Sequence, residues 1–84
     1  MFRMKILYFA SLREHLGRSE EYFTIDTKTT VKVFFMENIS GRVKGLNPEK
    51  FLYAINEEMA DADAELSDDD TLAIMPPLSG GSRE

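Results

Sequence analysis

Apolar and polar residues recur along this chain with two periods, a short one that predicts strands and a longer one that predicts helices. Four apolar segments bounded by turn residues predict strands, at residues 4–10, 21–26, 51–56 and 71–75. A shorter extended piece is expected around Met59 and Ala60. The first segment is nearly continuous, which predicts a central strand covered on both faces. The second alternates, with Phe23 and Ile25 on one side, and predicts a half-exposed strand.

Two segments between the strands carry helical signals. Residues 11–17 predict one helical turn that Ser11 caps and Gly17 ends. A main helix is expected after the second strand, because the apolar residues there follow helical spacing. Those residues are Val31, Phe34, Phe35, Ile39 and Val43. The expected boundary residues are Thr29 or Thr30 at the start and Gly41 or Gly45 at the end.

The order of these elements predicts the fold. Strand, strand, helix, strand, short strand, strand packs economically as an α+β domain, a mixed sheet of about five strands with one main helix across it. This is the β-grasp arrangement of ubiquitin-like proteins. Eighty-four residues allow one domain, which we expect to span residues 1–77, with residues 78–84 as a flexible C-terminal tail.

The tail carries the residues with the clearest chemical meaning. Gly80 and Gly81 form a backbone without side chains, which fits a narrow channel and adopts dihedral angles closed to other residues. The prolines before them favour an extended path. The residues expected in a partner's channel are Pro77, Leu78, Ser79 and Gly80. Two alternatives are a loose chain end and apolar tail residues that pack back onto their own domain.

Composition and charge narrow the classes of partner and reaction. The chain contains no cysteine, which excludes disulfides, thiolate metal sites and a cysteine nucleophile. Its net charge is −5, and residues 57–70 contain eight acidic residues and no Lys or Arg, which argues against nucleic acid and favours a basic protein surface. The acidic residues are Glu57, Glu58, Asp61, Asp63, Glu65, Asp68, Asp69 and Asp70. No signal peptide or membrane span is evident, so we expect a cytoplasmic protein with no membrane partner. The alternative for the acidic stretch is a solvated loop.

Several segments resemble the MoaD/ThiS family of ubiquitin-like sulfur carriers, and within it the small subunits of molybdopterin synthase. They are residues 5–14, 53–58, 66–73 and 74–81, which match in the family's order across nearly the whole chain. The opening Phe-Ala-x-x-Arg-Glu at residues 9–14 and the ending Pro-Pro-x-Ser-Gly-Gly at residues 76–81 are the most specific of these.

The resemblance implies a non-catalytic sulfur donor. The carboxylate of Gly81 would be adenylated by an E1-like enzyme, converted to a thiocarboxylate with sulfur from a sulfurtransferase, and delivered to the large subunit of molybdopterin synthase. There the sulfur would pass to a pterin precursor of the molybdenum cofactor. ATP and Mg²⁺ would be used by the adenylating partner, so this chain is expected to bind no cofactor and no metal. The acidic stretch would face one of these partners.

Two positions depart from the family pattern. Ser82, Arg83 and Glu84 follow the diglycine, and only a free carboxylate on Gly81 can be adenylated. Either these three residues are removed, or they are foreign to the natural chain, or Gly81 carries no sulfur. Asp69 stands where relatives commonly have Gly in a tight turn. Because Asp tolerates the left-handed conformation better than most residues, we expect modest strain or a changed turn there and no loss of the fold.

The pattern leaves other functions open. A related β-grasp carrier would use the same glycine for thiamine synthesis, tRNA thiolation or conjugation to proteins. An uncut extension would favour an interaction module without sulfur chemistry. His15 is expected to be a solvated surface residue, because no second ligand or nucleophile accompanies it. Residues 68–70 are expected to form a polar turn and no cation site.

Overall fold

The computed structural model describes residues 2–42 and 47–76. Its elements follow one another in the order β1 (Phe2–Tyr8), α1 (Ala10–Leu16), β2 (Glu20–Ile25), β3 (Thr29–Thr30), α2 (Val31–Asn38), β4 (Leu52–Ile55), β5 (Glu58–Ala60), β6 (Glu65–Leu66) and β7 (Thr71–Met75). A short 3-10 turn at Pro48–Lys50 precedes β4. No helix in the described ranges combines the length and the apolar character that a membrane span needs.

Five of the strands form one mixed sheet in the order β2-β1-β7-β4-β5. The first and last strands, β1 and β7, are parallel neighbours at its centre, and the other neighbours are antiparallel. The short strands β3 and β6 pair separately. The prediction of an α+β fold, a β-grasp sheet of about five strands with one main helix across it, is confirmed.

The core lies between one face of this sheet and the two helices. Phe34 of α2 meets Phe23 of β2 edge to face, with ring centroids 5.0 Å apart, and Phe35 packs against Tyr53 of β4. Leu12 supplies the contact from α1. Burial of these large apolar side chains is the main favourable term in folding. The predicted core positions of α2 are therefore confirmed as far as Ile39; Val43 lies outside the described residues.

One face of β1 is open, so the prediction that it is covered on both faces is wrong. Met4, Ile6 and Tyr8 are buried, whereas Lys5 and Leu7 are only partly covered. Both helices contribute to the same core cluster, so no described helix covers the other face. An apolar side chain such as Leu7 extends the run in the sequence without lying in the core.

The helix boundaries differ from the predicted ones for local reasons. Helix α1 begins at Ala10 after Phe9, with no side-chain cap, so Ser11 is not its N-cap. Gly17 ends it as predicted, with φ 75° and its N–H donating to the Arg13 carbonyl at 2.9 Å.

Helix α2 begins as predicted, because the Thr30 hydroxyl accepts from the Val33 N–H. It ends at Asn38, before Gly41. The Asn38 side chain donates to the Phe34 carbonyl at 3.1 Å, and the Ser40 hydroxyl donates to the Met36 carbonyl at 3.1 Å. The Ser40 bond satisfies one of the last four helical carbonyls, and the N–H groups of Ile39 and Ser40 both donate to the Phe35 carbonyl, at 2.8 Å and 3.0 Å. The helix therefore ends without a glycine; Gly45 lies outside the described residues.

A network around Glu21 joins β1, β2 and the turn after α2. The Glu21 carboxylate accepts a hydrogen bond from the Tyr8 hydroxyl at 2.7 Å and pairs with Arg42 at 2.8 Å and Arg18 at 3.2 Å. Burial opposes the charge on Glu21, but the bonds from Arg42 and Tyr8 outweigh it and lower the carboxyl pKa. Burial and the bond to Glu21 raise the pKa of Tyr8, which keeps this hydroxyl a donor.

We expect Glu21→Gln to lower the free energy of unfolding by about 1 kcal/mol at neutral pH, because it removes the charged acceptor of three hydrogen bonds. Since the pKa of Glu21 is lowered on folding, its contribution is present above the unfolded pKa of about 4.3 and is lost as pH falls through the folded pKa. The difference between wild type and variant should therefore shrink on acidification, which urea unfolding across pH measures.

Glu20→Gln is the matched control for this measurement. The Glu20 side chain is 46% exposed and lies 3.7 Å from Lys5, so its loss should change stability by less than about 0.5 kcal/mol at any pH. Equal effects from the two substitutions would contradict the role given to Glu21.

Candidate partner-binding face

The site residues predicted from sequence follow β7, which is the last described strand and lies at the centre of the sheet. Pro77, Leu78, Ser79, Gly80 and Gly81 lie outside the described residues. What the structure places is the strand that leads to them. Met75 pairs with Leu52 of β4, and the Ile74 carbonyl accepts a hydrogen bond from the Phe9 N–H at 3.3 Å. The chain therefore leaves β7 between the end of β1 and the start of β4.

The uncovered side of the sheet, which we call the open face, carries a row of small and apolar side chains across four strands. The strand register aligns Met59, Ala54, Ala73 and Leu7. Two residues further along β7, Met75 lies opposite Leu52 of β4 and close to Phe9. Met59 is 68% exposed and Phe9 is 42% exposed. Exposed apolar side chains gathered beside a chain exit are typical of an interaction surface.

A shallow depression of about 470 Å³ follows β7 along this face. Leu7, Phe9 and Ala73 form its apolar part, and Asn56, Glu57 and Thr71 form its polar end. The small side chain of Ala73 is what leaves room above the strand. The depression leads from the β4–β5 turn to the end at which the chain leaves β7.

The β4–β5 turn at the polar end of the depression is strained. Asn56 and Glu57 have φ values of 52° and 74°, the left-handed pair that a two-residue hairpin requires and that Asn-Gly normally supplies. A glutamate at the second position costs stability, because its Cβ crowds the backbone there. The Asn56 side chain holds the turn against β7, donating to Asp70 at 2.8 Å and accepting from the Thr71 N–H at 3.0 Å.

The opposite side of the open face, toward β2, carries positive charge. Arg3 and Lys5 lie over the ring of Tyr22, 5.5 Å and 5.9 Å from its centroid. Arg3 is exposed, whereas the Lys5 ammonium also lies 3.7 Å from the Glu20 carboxylate. The open face therefore presents an apolar strip with Arg3 and Lys5 toward β2 and Glu57 at the β4–β5 turn.

The acidic stretch does not form a single patch. Glu57 borders the depression, whereas Asp61 and Asp63 line a separate groove beside β5. Asp68 accepts from the Arg3 N–H and Asp70 from the Ser67 N–H, so these two build the predicted turn before β7. Asp69 adopts φ 66°, so of the two expected outcomes the left-handed turn with modest strain is the one observed.

The remaining polar candidates from the sequence are His15 and possible metal ligands. His15 lies exposed on α1, as predicted. No cluster of three metal-ligating side chains occurs in residues 2–42 and 47–76. Sequence reasoning missed the strained turn, since its usual signal is a glycine that is absent here, and it missed the open face, since exposure depends on which side both helices pack.

Comparison with known proteins identifies the family of this chain. The model of the ThiS family matches residues 6–81, which run from the last three residues of β1 through all later strands to the diglycine. The chain belongs to the ThiS family. It is 32% identical to the molybdopterin synthase sulfur carrier subunit of Dictyostelium discoideum, over 94% of this chain and 96% of that protein. It is 29% identical to the Escherichia coli protein of the same name, over 93% of this chain and 99% of that one.

A solved structure agrees with this placement. Small archaeal modifier protein 1 of Haloferax volcanii superposes with a TM-score of 0.69 at 26% identity, covering 92% of this chain and 99% of that one. The match over nearly the full length of each relative shows that this ThiS-family chain shares their whole fold.

If the open face serves binding, its apolar side chains should matter little for folding. We expect Met59→Gln and Leu52→Gln each to lower the free energy of unfolding by less than about 1 kcal/mol. Leu72→Ala, which removes a fully buried side chain from the same sheet, should cost about 2–5 kcal/mol. Urea unfolding measures all three, and comparable losses from the open-face and core variants would show that the face is structural.

Proposed function

We propose that this protein is a cytoplasmic sulfur carrier and serves as the small, sulfur-donor subunit of molybdopterin synthase. It is not an enzyme by itself; Gly81 carries the sulfur that other proteins load and use. The observation that carries the proposal is the family match through residue 81, which includes the diglycine of the tail. The names of the two aligned carrier subunits support the choice of pathway.

The chemistry begins at the free carboxylate of Gly81. Its oxygen attacks the α-phosphorus of ATP on the E1-like enzyme, and pyrophosphate leaves, which gives an acyl adenylate. A sulfide sulfur supplied by the sulfurtransferase then attacks the carbonyl carbon, and AMP leaves with the bonding electrons. Glycine suits this position because no Cβ obstructs either face of the carbonyl. ATP and Mg²⁺ belong to the adenylating enzyme.

The open face is the proposed docking surface for the enzymes that act on the tail. It lies beside the end of β7, so a partner that covers Phe9, Leu52 and Met75 is positioned to receive residues 77–81 in its own channel. Burial of the exposed apolar strip supplies affinity, while Arg3, Lys5 and Glu57 on its two sides favour one orientation of the partner.

The three residues after Gly81 must be removed before the proposed chemistry starts. Hydrolysis of the Gly81–Ser82 amide by a peptidase releases Ser82-Arg83-Glu84 and leaves the glycine carboxylate free. The proposal therefore includes a processing step, and the full-length chain is the unloaded precursor.

A second candidate function is conjugation to other proteins. The similarity to a protein named a small archaeal modifier favours it, because the same adenylated glycine reacts with a lysine amine in place of sulfur. The two functions differ in product: a thiocarboxylate on the free carrier, or an amide between Gly81 and a lysine of another protein.

The first prediction of the proposal concerns the end of the chain. A protein that ends at Gly81, incubated with a family adenylating enzyme, ATP, Mg²⁺ and a sulfur donor, should gain the mass difference between sulfur and oxygen. The chain ending at Glu84 and a control ending at Ser82 should keep their masses, which intact mass spectrometry measures. A truncated chain that is adenylated but gains no sulfur, and instead joins lysines in a lysate, would replace sulfur transfer with conjugation.

The second prediction separates stability from partner binding at the strained turn. Glu57→Gly should raise the free energy of unfolding by about 0.5–1 kcal/mol, because glycine accepts φ 74°. It should also weaken binding to the large synthase subunit several-fold, since the carboxylate beside the depression is gone.

Asp69→Gly is the control for backbone strain, because Asp69 is also an acid at positive φ but lies beside Arg3 and Lys5 and not at the depression. It should stabilise the protein by a similar amount without weakening binding, as measured by calorimetric titration. Equal affinities for wild type and Glu57→Gly would remove Glu57 from the proposed interface.

A further inference from the structure

The free edge of β2 offers unpaired backbone groups to a partner. Among the described strands, β2 has one neighbour, β1, and lies at the end of the sheet. It is six residues long, twice the length of β5 at the other end. An edge strand with free N–H and C=O groups is a template for another strand.

The register of β1 and β2 identifies the groups that are free. The Tyr8 N–H donates to the Ser19 carbonyl at 2.9 Å, and hydrogen-bonded pairs alternate along an antiparallel ladder. Glu21, Phe23 and Ile25 therefore bond toward β1. The backbone N–H and C=O of the residues between them, Tyr22 and Thr24, point outward from the sheet.

The two halves of this edge differ. Toward its start, the Glu21 side chain is tied to Arg42 and Arg18. Toward its end, a groove of about 330 Å³ lies between the strand, the following loop and α2. Ile25, Phe34 and Val33 line its apolar part, and Val33 is 44% exposed. We call this region the β2–α2 groove.

The charges at the groove select the kind of segment that fits. Asp26 and Glu37 line it with one cation, Lys28, and neither acid forms an ion pair with a described residue. A second copy of this chain is disfavoured as occupant, because each copy carries a net charge of −5. A basic segment gains from the same charge.

We propose that the β2 edge and the β2–α2 groove form a second docking surface, which binds an extended segment of another protein as an added strand. The backbone of the bound segment forms hydrogen bonds with the backbone of Tyr22 and Thr24, and its alternate apolar side chains enter the groove. A Lys or Arg of the segment faces Asp26 and Glu37. Backbone pairing provides affinity in this mode, and the alternate side chains provide specificity.

The position of this surface makes it independent of the tail. In the antiparallel register Ile25 lies opposite Phe2, at the start of β1. Because β7 runs parallel to β1, it ends at the other extremity of the sheet. A segment bound at the β2–α2 groove therefore leaves the end of β7 and the proposed path of Gly81 uncovered.

A designed peptide tests this assignment on the full chain. The probe is an acetylated, amidated octapeptide that alternates valine with lysine or threonine, and its control replaces each lysine with glutamate. In titrations of ¹⁵N-labelled protein, we expect the basic probe to shift the amide signals of residues 22–26 and 33–38 and to leave those of Leu7 and Ala73 in place. The acidic control should bind at least about tenfold more weakly.

Two substitutions identify the binding mode. Thr24→Pro removes an outward N–H, which an edge strand tolerates, and should weaken the probe at least about tenfold, whereas Thr24→Val keeps that N–H and should bind as wild type. Glu37→Lys, on the surface of α2, should weaken binding of the basic probe and strengthen binding of the acidic control. This variant provides the test if the proline variant does not fold.

Three results would overturn the proposal. One is equal binding by Thr24→Pro and Thr24→Val, and another is a set of shifts confined to the open face. The third is a concentration-dependent change at residues 22–26 without peptide, which would assign the edge to a second copy of the chain. None of these readouts depends on sulfur loading, so failure here is distinct from failure of the carrier function.

Discussion

The parallel pairing of β1 with β7 is the constraint on which the rest of this structure depends. The first and last strands of the described chain lie side by side at the centre of the sheet, and their core-facing residues Ile6, Tyr8, Leu72 and Ile74 are almost fully buried. Parallel neighbours need a long crossover between them. The middle of the chain supplies it, with α2 packed on the core side and β4 and β5 added beyond β7. Because β7 is central, the chain after it starts from a strand that is paired on both sides.

The one-sided covering of the sheet follows from the same arrangement. Both helices contribute to a single core cluster, so the opposite face keeps an apolar strip outside that cluster. The small side chain of Ala73 lines the depression, which a larger side chain there would fill. An apolar surface next to the exit of a tail combines two needs of a carrier, affinity for a partner and a defined starting point for the segment that the partner receives.

Local signals predicted the parts of the fold that local chemistry determines. Phe23 and Ile25 alternate into the core, Thr30 caps α2, Gly17 ends α1, and Asp69 adopts the left-handed turn conformation. The signals failed where the answer depends on distant groups. The cover of β1 is set by which side α1 and α2 pack on. The end of α2 was missed for a local reason, because the Ser40 hydroxyl bonds the Met36 carbonyl and the helix stops without a glycine.

The candidate site divides in the same way. The diglycine is visible in the sequence because its chemistry needs only Gly81 and its neighbours. The open face draws residues from β1, β4, β5 and β7, so it appears only when the strand order and register are known. Glu57 was hidden for another reason: a two-residue turn with both φ values positive is normally recognised by glycine, and here a strained glutamate borders the depression. The turn does not need a glutamate here, because glycine would adopt the same φ without strain. A function for the carboxylate is the better explanation of why the strained residue is present.

A carrier that is loaded by one enzyme and unloaded by another faces a physical conflict. In the proposed function both enzymes need the same tail, so both would cover the surface beside β7, and each would have to release it for the other to act. High affinity at the open face would slow every exchange, because dissociation rates fall as affinity rises. The contact proposed at the β2–α2 groove, at the other extremity of the sheet, would resolve this conflict. A weak strand contact there would raise the local concentration of the carrier around its enzymes, while the tail and the open face would stay free to move from one active site to the next.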